Sequence, residues 1–162
     1  MNKKIAILSI DPGSNDGMFC LLIPEIKQVA FKKTTDKPLD LYAWIKQIET
    51  EYSLQVIMIE DVRNIFGVSS KSNFTFGVQL GLVTGISQAT GNTVDKVQPK
   101  KWQTFLGVKT TTKGKAIKKE VATLVESLYP KVNLYGPKGG LQAGKSDSLA
   151  IAHFAAYKYK LQ

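Results

Sequence analysis

The sequence predicts an α/β fold, with a mixed five-stranded sheet flanked by helices. Residues 5–10 and 54–59 are continuous apolar runs, which are typical of strands covered on both faces. A segment with helical periodicity separates them, and a helix between two such strands implies a parallel pair. Met18–Ile23 and Gln28–Lys33 have the pattern of two antiparallel strands joined around Pro24. Parallel and antiparallel pairs together make the sheet mixed.

The next elements follow from helical periodicity. A first helix begins near Pro38, and its apolar residues recur at helical spacing: Leu41, Trp44, Ile45 and Ile48. The polar residues 63–73 indicate a loop. A second helix carries an apolar row beside a glycine row: Phe74, Val78, Leu82 and Ile86, and Gly77, Gly81 and Gly85. Each glycine costs about 1 kcal/mol against alanine, so this row is expected to be an intrachain packing seam or a dimer surface.

The last third of the chain contains one more strand and three more helices. Residues 93–97 form a short edge strand, and Pro99–Leu106 and residues 113–128 are predicted helices. Residues 135–144 are rich in glycine and are predicted as a loop before a final helix over 146–158. We expect a single domain over residues 1–162, because one core commonly holds about 100 to 200 residues.

The charge of +9 and the pI near 9.6 favour nucleic acid as a partner, because a cationic surface attracts phosphate backbones. Eight lysines fall in one stretch without any Asp or Glu: Lys96, Lys100, Lys101, Lys109, Lys113, Lys115, Lys118 and Lys119. A solvated lysine-rich surface is the alternative interpretation. A membrane partner is not expected, since the stretch is interrupted by turn residues and contains no continuous amphipathic helix.

The remaining composition excludes several classes of protein. Cys20 is the only cysteine, so intramolecular disulfides and cysteine-based zinc sites are excluded, and a buried thiol is expected. No apolar run reaches the length of a membrane helix, and residues 5–10 are too short for a signal-peptide core. We therefore expect a cytoplasmic protein.

Three acids occupy positions that favour chemistry. Asp11 ends the first buried strand, Glu60 ends its predicted parallel neighbour, and Asp147 begins the last helix. Adjacent parallel strands would bring Asp11 and Glu60 together at the carboxyl edge of the sheet, where α/β active sites lie. Asp147 shares a helix face with the apolar Ala150 and Phe154, so it is expected to face the sheet. Individually, these acids could instead begin a turn, end a strand or favour a helix dipole.

Clustered carboxylates repel one another unless a cation neutralises them. Their hard oxygen atoms suit Mg²⁺, or Mn²⁺ as a substitute, better than Zn²⁺. Asp11, Glu60 and Asp147 are therefore the predicted metal ligands. In a basic chain the expected chemistry is phosphodiester hydrolysis, in which one ion helps to generate hydroxide and another stabilises the leaving oxygen. His153 lies on another face of the helix and is expected to be structural or exposed.

The chain resembles the RuvC family of Holliday-junction resolvases, especially its shorter phage-type members. Four segments carry the resemblance: Ile-Leu-Ser-Ile-Asp-Pro-Gly-Ser (7–14), Val-Ile-Met-Ile-Glu (56–60), Gly-Val-Gln-Leu-Gly (77–81) and Ser-Asp-Ser-Leu-Ala-Ile-Ala-His (146–153). The resemblance implies an RNase H-like fold and a homodimeric, Mg²⁺-dependent endonuclease of DNA recombination and repair. Its partner would be branched DNA in the cytoplasm, that of a bacterial host if the chain is phage-encoded. Asp11, Glu60 and Asp147 match family catalytic positions.

The resemblance also implies roles for basic and aromatic residues, and it has one departure. Lys113 and Lys115 match basic residues near the scissile phosphate, and we assign phosphate stabilisation to Lys115. Arg63 or Phe66 would take the place of an aromatic wedge after Glu60. The predicted DNA-binding residues are Arg63, Phe66, Lys100, Lys101, Lys109, Lys113, Lys115 and Lys118. The family has an acid or histidine three residues before the last aspartate, where this chain has Gly144.

Three other functions stay open at this point. A branched-DNA-binding protein of the same fold would have lost most of its catalysis with the fourth ligand. An RNase H-type enzyme would instead cut RNA in hybrids. A sugar-kinase-like protein fits least, because its two-domain cleft exceeds this length.

Overall fold

A computed structural model describes residues 2–13, 17–34, 37–62, 67 and 69–161. The strands are β1 (Ile5–Asp11), β2 (Met18–Ile23), β3 (Gln28–Lys33), β4 (Ser53–Glu60) and β5 (Val94–Val97). The helices are α1 (Pro38–Glu51), α2 (Ser70–Ala89), α3 (Pro99–Leu106), α4 (Lys115–Leu128) and α5 (Ala143–Lys158). A 3-10 turn, Pro24–Ile26, connects β2 to β3. The predicted α/β class and the five strands are confirmed.

The strands form one mixed sheet in the order β3-β2-β1-β4-β5. β1 pairs antiparallel with β2 and parallel with β4, and β4 pairs parallel with β5. β2 and β3 complete the antiparallel meander. The predicted parallel pair is therefore the centre of the sheet, and both of its strands end at the same edge.

The sheet is covered on both faces because side chains alternate along each strand. Ile7 of β1 and Met58 of β4 face α3, α4 and α5, and they belong to one buried apolar cluster. Leu8 and Ile57 face the other way, toward α1 and α2, in a second cluster. The last residue of β1 and of β4 continues the first of these alternations, so Asp11 and Glu60 lie on the side of the sheet that α5 covers.

Two predicted loops give way to helix. α2 begins at Ser70 rather than after Asn73, because the Ser69 side chain accepts a hydrogen bond from the Ser72 backbone N–H at 3.1 Å and caps the helix. α5 begins at Ala143 rather than at Ser146, so its first turn includes Gly144. The glycine and polar residues of these two segments predicted loops. In the folded protein, capping and tertiary packing favour helix instead.

The exposed side of α2 corrects one expectation. A Cβ atom added at Gly77, Gly81 or Gly85 would meet no atom within 4 Å among the described residues. Beside them, Phe74 is 73% exposed and Val78 is 54% exposed. The predicted intrachain packing seam is therefore wrong, and the dimer surface stays a prediction.

No helix in the described ranges combines the length and apolar character needed to cross a bilayer.

Candidate active site

The ends of β1 and β4 bring two carboxylates to one edge of the sheet. Ile10 pairs with Ile59 in the parallel register, and Asp11 and Glu60 are the next residues of the two strands. Adjacent strands are about 4.8 Å apart, so the two acids are neighbours at the carboxyl edge, as the sequence predicts. Glu60 is 9% exposed, which is unusual for a glutamate without a cationic partner.

Hydrogen bonds connect the residues that follow Asp11 with the residue after β3. The Asp11 Oδ1 atom accepts a hydrogen bond from the Gly13 backbone N–H at 3.1 Å. The Gly17 N–H donates to the Gly13 carbonyl at 3.1 Å, and the Thr34 N–H donates to the Gly17 carbonyl at 3.0 Å. A Cβ atom at Gly17 would lie 2.1 Å from that Gly13 oxygen. Only glycine fits there. The hydrogen bond from the Gly13 N–H fixes the orientation of the Asp11 carboxylate.

Helix α5 supplies the third carboxylate because it packs closely on the sheet. Ser9 of β1 donates its hydroxyl to the Ser148 carbonyl at 2.6 Å. Ser9 and Ser148 are both fully buried, and Gly144 and Ala152, one turn before and one turn after Ser148, are buried as well. Small residues on this side of the helix allow the close approach. Asp147, between buried Ser146 and Ser148, is thereby held near the ends of β1 and β4.

The three acids interact electrostatically. Burial raises the pKa of Glu60 to about 8, and the charges of Asp11 and Asp147 add to this rise. Burial also raises the pKa of Asp147 to about 7, with Asp11 as the second cause. Lys118 opposes the rise at both residues. Full ionisation of the three acids is therefore unfavourable with Lys118 as the only opposing charge named for them, and this is the electrostatic condition that favours a bound cation.

A tryptophan completes the immediate surroundings of Glu60. The Trp102 Nε1–H group donates to the Glu60 Oε1 atom at 2.9 Å. Trp102 is 1% exposed and belongs to the apolar cluster under α5. Sequence reasoning missed this contact, because an aromatic residue on the inner side of a short helix indicates packing. The available signal was that a buried indole needs an acceptor.

Lys118 is the lysine whose charge reaches the carboxylates. It lies one turn into α4, whereas Lys115 is the first residue of that helix. Lys118, Lys33 and Gly144 also line an open cavity of about 300 Å³ at the start of α5. Lys33 was not predicted as a site residue. Lys33 pairs with Met18 of β2, and Met18 pairs with Asp11 of β1. This register of the antiparallel strands is the signal that could have placed Lys33 near the site.

The other predicted DNA-binding residues are exposed on α3 and on the connection to α4, or they fall outside the described part of the chain. Lys100 and Lys101 are exposed on α3, and Lys109 and Lys113 are exposed between α3 and α4. The Glu120 carboxylate accepts from the Lys109 backbone N–H at 2.9 Å, which organises that connection. Arg63 and Phe66 fall outside the described residues. The roles of all these residues stay predictions.

Two residues that were set aside have structural surroundings. The Nδ1 atom of His153 lies 3.0 Å from the Tyr129 hydroxyl, and the imidazole ring packs against Phe105. Burial lowers the pKa of His153, and the nearby Lys27 charge lowers it further. Cys20 is a buried free thiol, and burial raises its pKa. These observations agree with the expected structural roles of both residues.

The donor set of the site suits a hard divalent cation. Asp11, Glu60 and Asp147 offer only carboxylate oxygens, which Mg²⁺ and Mn²⁺ prefer. Within the described ranges, no three acidic, histidine or cysteine side chains form a ready-made coordination cluster. The donor chemistry and the electrostatics of the three acids nevertheless fit a divalent cation.

The sequence matches no protein-family model. It also matches no curated protein sequence. Among solved structures it is similar to Thermus thermophilus RuvC in complex with a Holliday junction substrate, with a TM-score of 0.66 and 17% identity over 97% of this chain and 96% of that one. A second Thermus thermophilus RuvC structure gives 0.63 and 16%, covering 97% and 95% of the two chains.

The yeast mitochondrial Holliday junction resolvase Ydc2 gives a TM-score of 0.51 and 13% identity, covering 100% of this chain and 86% of that one. These similarities extend over nearly the whole of each RuvC chain, so they concern the complete sheet and its helices rather than a local motif. The chain therefore has the fold of the RuvC-type Holliday junction resolvases.

Proposed function

We propose that this protein is a divalent-metal-dependent endonuclease that cuts branched DNA, including four-way junctions. The observation that carries the proposal is the convergence of Asp11, Glu60 and Asp147 at one sheet edge. Exposed lysines of α3 and α4 would attract a phosphate backbone, and the charge of one of them, Lys118, acts on Glu60 and Asp147. The similar RuvC structure in complex with a Holliday junction substrate supports this choice of DNA.

Asp11, Glu60 and Asp147 would hold the cation, which we propose to be Mg²⁺. When bound, such an ion supplies Lewis acidity to the phosphodiester. The carboxylates of this chain contribute charge and position. Burial, together with repulsion among the carboxylates, raises the pKa values of Glu60 and Asp147 toward neutrality, so cation binding and proton release are linked. Metal affinity is therefore expected to rise with pH in the neutral range.

Lys118 is the residue that we assign to the phosphate nearest the carboxylates. Its charge acts on both Glu60 and Asp147, and it borders the cavity beside Gly144. The role predicted for Lys115 stays a prediction, and the two positions are one helical turn apart. An ammonium group at either position would neutralise part of the phosphate charge during substitution at phosphorus.

Gly144 supports a second candidate function. This glycine is buried in the first turn of α5, where the RuvC resemblance leads us to expect a fourth acidic or histidine ligand. A site with three carboxylates holds a cation more weakly than a site with four ligands. The alternative is therefore a branched-DNA-binding protein with little catalysis, which would bind junctions and release no product.

We propose a homodimer as the active form. The exposed side of α2 combines open glycines with Phe74 and Val78, which are 73% and 54% exposed. Small residues beside exposed apolar ones allow two helices to approach closely. A second copy of this chain would cover that surface and would place two sites on one junction. Such an arrangement suits paired nicks.

Cleavage of a labelled four-way DNA junction tests the proposal, with a linear duplex and an RNA–DNA hybrid as parallel substrates. We expect product with Mg²⁺ or Mn²⁺, none with EDTA, and none from Asp11→Asn, which should still bind the junction. Asp40→Asn, an exposed acid on α1, is the matched control and should cut normally. An equally active Asp11→Asn variant would disprove the site assignment.

The other results of the same assay separate the alternatives. Tight junction binding without product under any metal would establish the DNA-binding protein. Preferential loss of the RNA strand in the hybrid would establish the RNase H-type activity.

A further inference from the structure

The hydrogen bond between Trp102 and Glu60 is a buried polar contact at the proposed metal site. It joins the indole Nε1–H group to the Glu60 Oε1 atom over 2.9 Å. Trp102 is 1% exposed and Glu60 is 9% exposed, so little water reaches the contact. A hydrogen bond in such surroundings is stronger than one at the surface.

The backbone explains why the indole reaches this carboxylate. Glu60, the last residue of β4, pairs with Val97, the last residue of β5. α3 begins two residues later at Pro99, so its first turn starts beside the end of β4. Trp102 is the buried residue of that helix, and its ring packs in the apolar cluster that contains Met58 and Val97. The indole can therefore adopt few other positions.

The chemistry of the two groups gives the contact a direction. An indole N–H group is only a donor, whereas a carboxylate has two acceptor oxygens. Donation to Oε1 fixes the orientation of the carboxylate about its last torsion, which is otherwise broad. Oε2 is then the oxygen that remains for other ligands. Apolar packing of the ring does not itself require an N–H group, so packing alone does not explain this contact.

We propose that Trp102 is a positioning residue, whose indole N–H holds the Glu60 carboxylate in the orientation that binds the divalent cation. This inference rests on the proposed function for the presence of the cation. Groups that hydrogen-bond to a metal ligand commonly change metal affinity by about 10- to 100-fold when they are lost. Trp102 would act through Glu60, without touching the cation or the DNA.

An isosteric replacement isolates the N–H group. The chain has two tryptophans, Trp44 and Trp102. In a Trp44→Phe background, a tryptophan-auxotrophic host can replace the remaining indole by β-(3-benzothienyl)alanine, in which sulfur takes the place of N–H. The ring keeps its shape and the donor is lost. The matched control is Trp44→Phe with ordinary tryptophan at residue 102.

The first readout is Mn²⁺ affinity, measured from the electron paramagnetic resonance signal of the free ion. We expect about tenfold weaker binding in the sulfur analogue, with a urea unfolding curve close to that of the control. In cleavage assays, the half-saturating Mg²⁺ concentration should rise by a similar factor while the rate at saturating Mg²⁺ changes less. A purely structural role would instead change the unfolding curve and leave Mn²⁺ affinity unaltered.

The second readout needs neither DNA nor cleavage. In ¹⁵N-labelled natural protein, addition of Mg²⁺ should shift the indole N–H resonance of Trp102 and leave that of Trp44 in place. Glu60→Ala should move the Trp102 resonance before any metal is added. Equal Mn²⁺ affinity in analogue and control, or the absence of Mn²⁺ binding by both, would overturn the inference. A protein that binds Mn²⁺ but cuts no DNA would disprove the proposed function and leave the affinity comparison to decide the role of Trp102.

Discussion

Helices α5 and α2 both carry small residues along one side, yet the two sides have opposite surroundings. In α5 the small residues Gly144, Ser148 and Ala152, spaced four apart on one side, are buried. In α2 the three glycines are open, and the helix buries only Val83 and Ser87. The Ser9 hydroxyl, 2.6 Å from the Ser148 carbonyl, shows how closely α5 approaches β1.

This difference shows that a row of small residues indicates the close approach of another element but does not identify that element. In α5 the partner is the sheet of the same chain, and the approach holds Asp147 near Asp11 and Glu60. In α2 the described part of the chain provides no partner, which is why we assign that side to a second copy. Added bulk should therefore damage the fold and the site in α5, and only the association of two copies in α2.

The largest effect is expected from Ser148→Leu in α5. The side chain is fully buried beside β1, so three more carbon atoms would push the helix away from the sheet. Such overpacking typically costs about 1 to 3 kcal/mol, and we expect a value near the upper end together with loss of cleavage. Urea unfolding measures the first effect and the junction assay the second. Ser148→Ala keeps the close approach, so unchanged behaviour of the leucine variant relative to it would contradict this account.

The second prediction concerns the pH dependence of stability that follows from the buried carboxyl group of Glu60. The pKa of Glu60 is raised from 4.5 to about 8, so above its ordinary value the folded state holds a proton that the unfolded state has released. The contribution of Glu60 to stability is fully present below its ordinary pKa of 4.5 and is lost as the pH rises toward 8. With EDTA present, the free energy of unfolding should fall by about 2 kcal/mol between about pH 6 and pH 8, since each pKa unit corresponds to about 1.4 kcal/mol.

Glu60→Gln provides the comparison for this pH dependence. The amide keeps an acceptor for Trp102 and has no proton to lose, so the decline with pH should become shallower. Asp147, whose pKa is raised to about 7, would account for the part that remains. Saturating Mg²⁺ should stabilise the natural protein more at high pH than at low pH. Parallel unfolding curves for the natural protein and Glu60→Gln across this range would refute the electrostatic account.

The fold and the position of the three acids were predictable, because both depend on patterns that lie along the chain. Continuous apolar runs indicate β1 and β4, and a connecting helix makes the two strands parallel. Asp11 and Glu60 then reach the same edge by topology alone. Asp147 follows from helical periodicity, even though α5 begins three residues earlier than predicted.

The rest of the site depends on tertiary packing, which the sequence does not encode locally. Lys115 and Lys118 are the same type of residue, and only the position of α4 in the fold decides which charge acts on the carboxylates. The Trp102 contact joins residues 42 positions apart. Gly17 is required by the close approach of the Gly13 carbonyl and the Thr34 side chain, which no spacing rule indicates. Each of these features needed the assembled sheet edge to become visible.

The smallest effect is expected from Gly81→Leu in α2, which tests the other half of the comparison. A Cβ atom there meets open space, and leucine favours helix over glycine by somewhat less than about 1 kcal/mol, so the monomer should remain folded. If a second copy packs on this side, the added bulk should weaken dimerisation about tenfold, or about 1.4 kcal/mol. Light scattering over a range of protein concentrations measures this directly.

Thr75→Leu adds comparable bulk on another exposed part of the same helix and should leave association unchanged. A folded Gly81→Leu protein that dimerises like the natural one would move the interface away from the glycine row, whereas equal weakening by both variants would place it on a broader surface of α2.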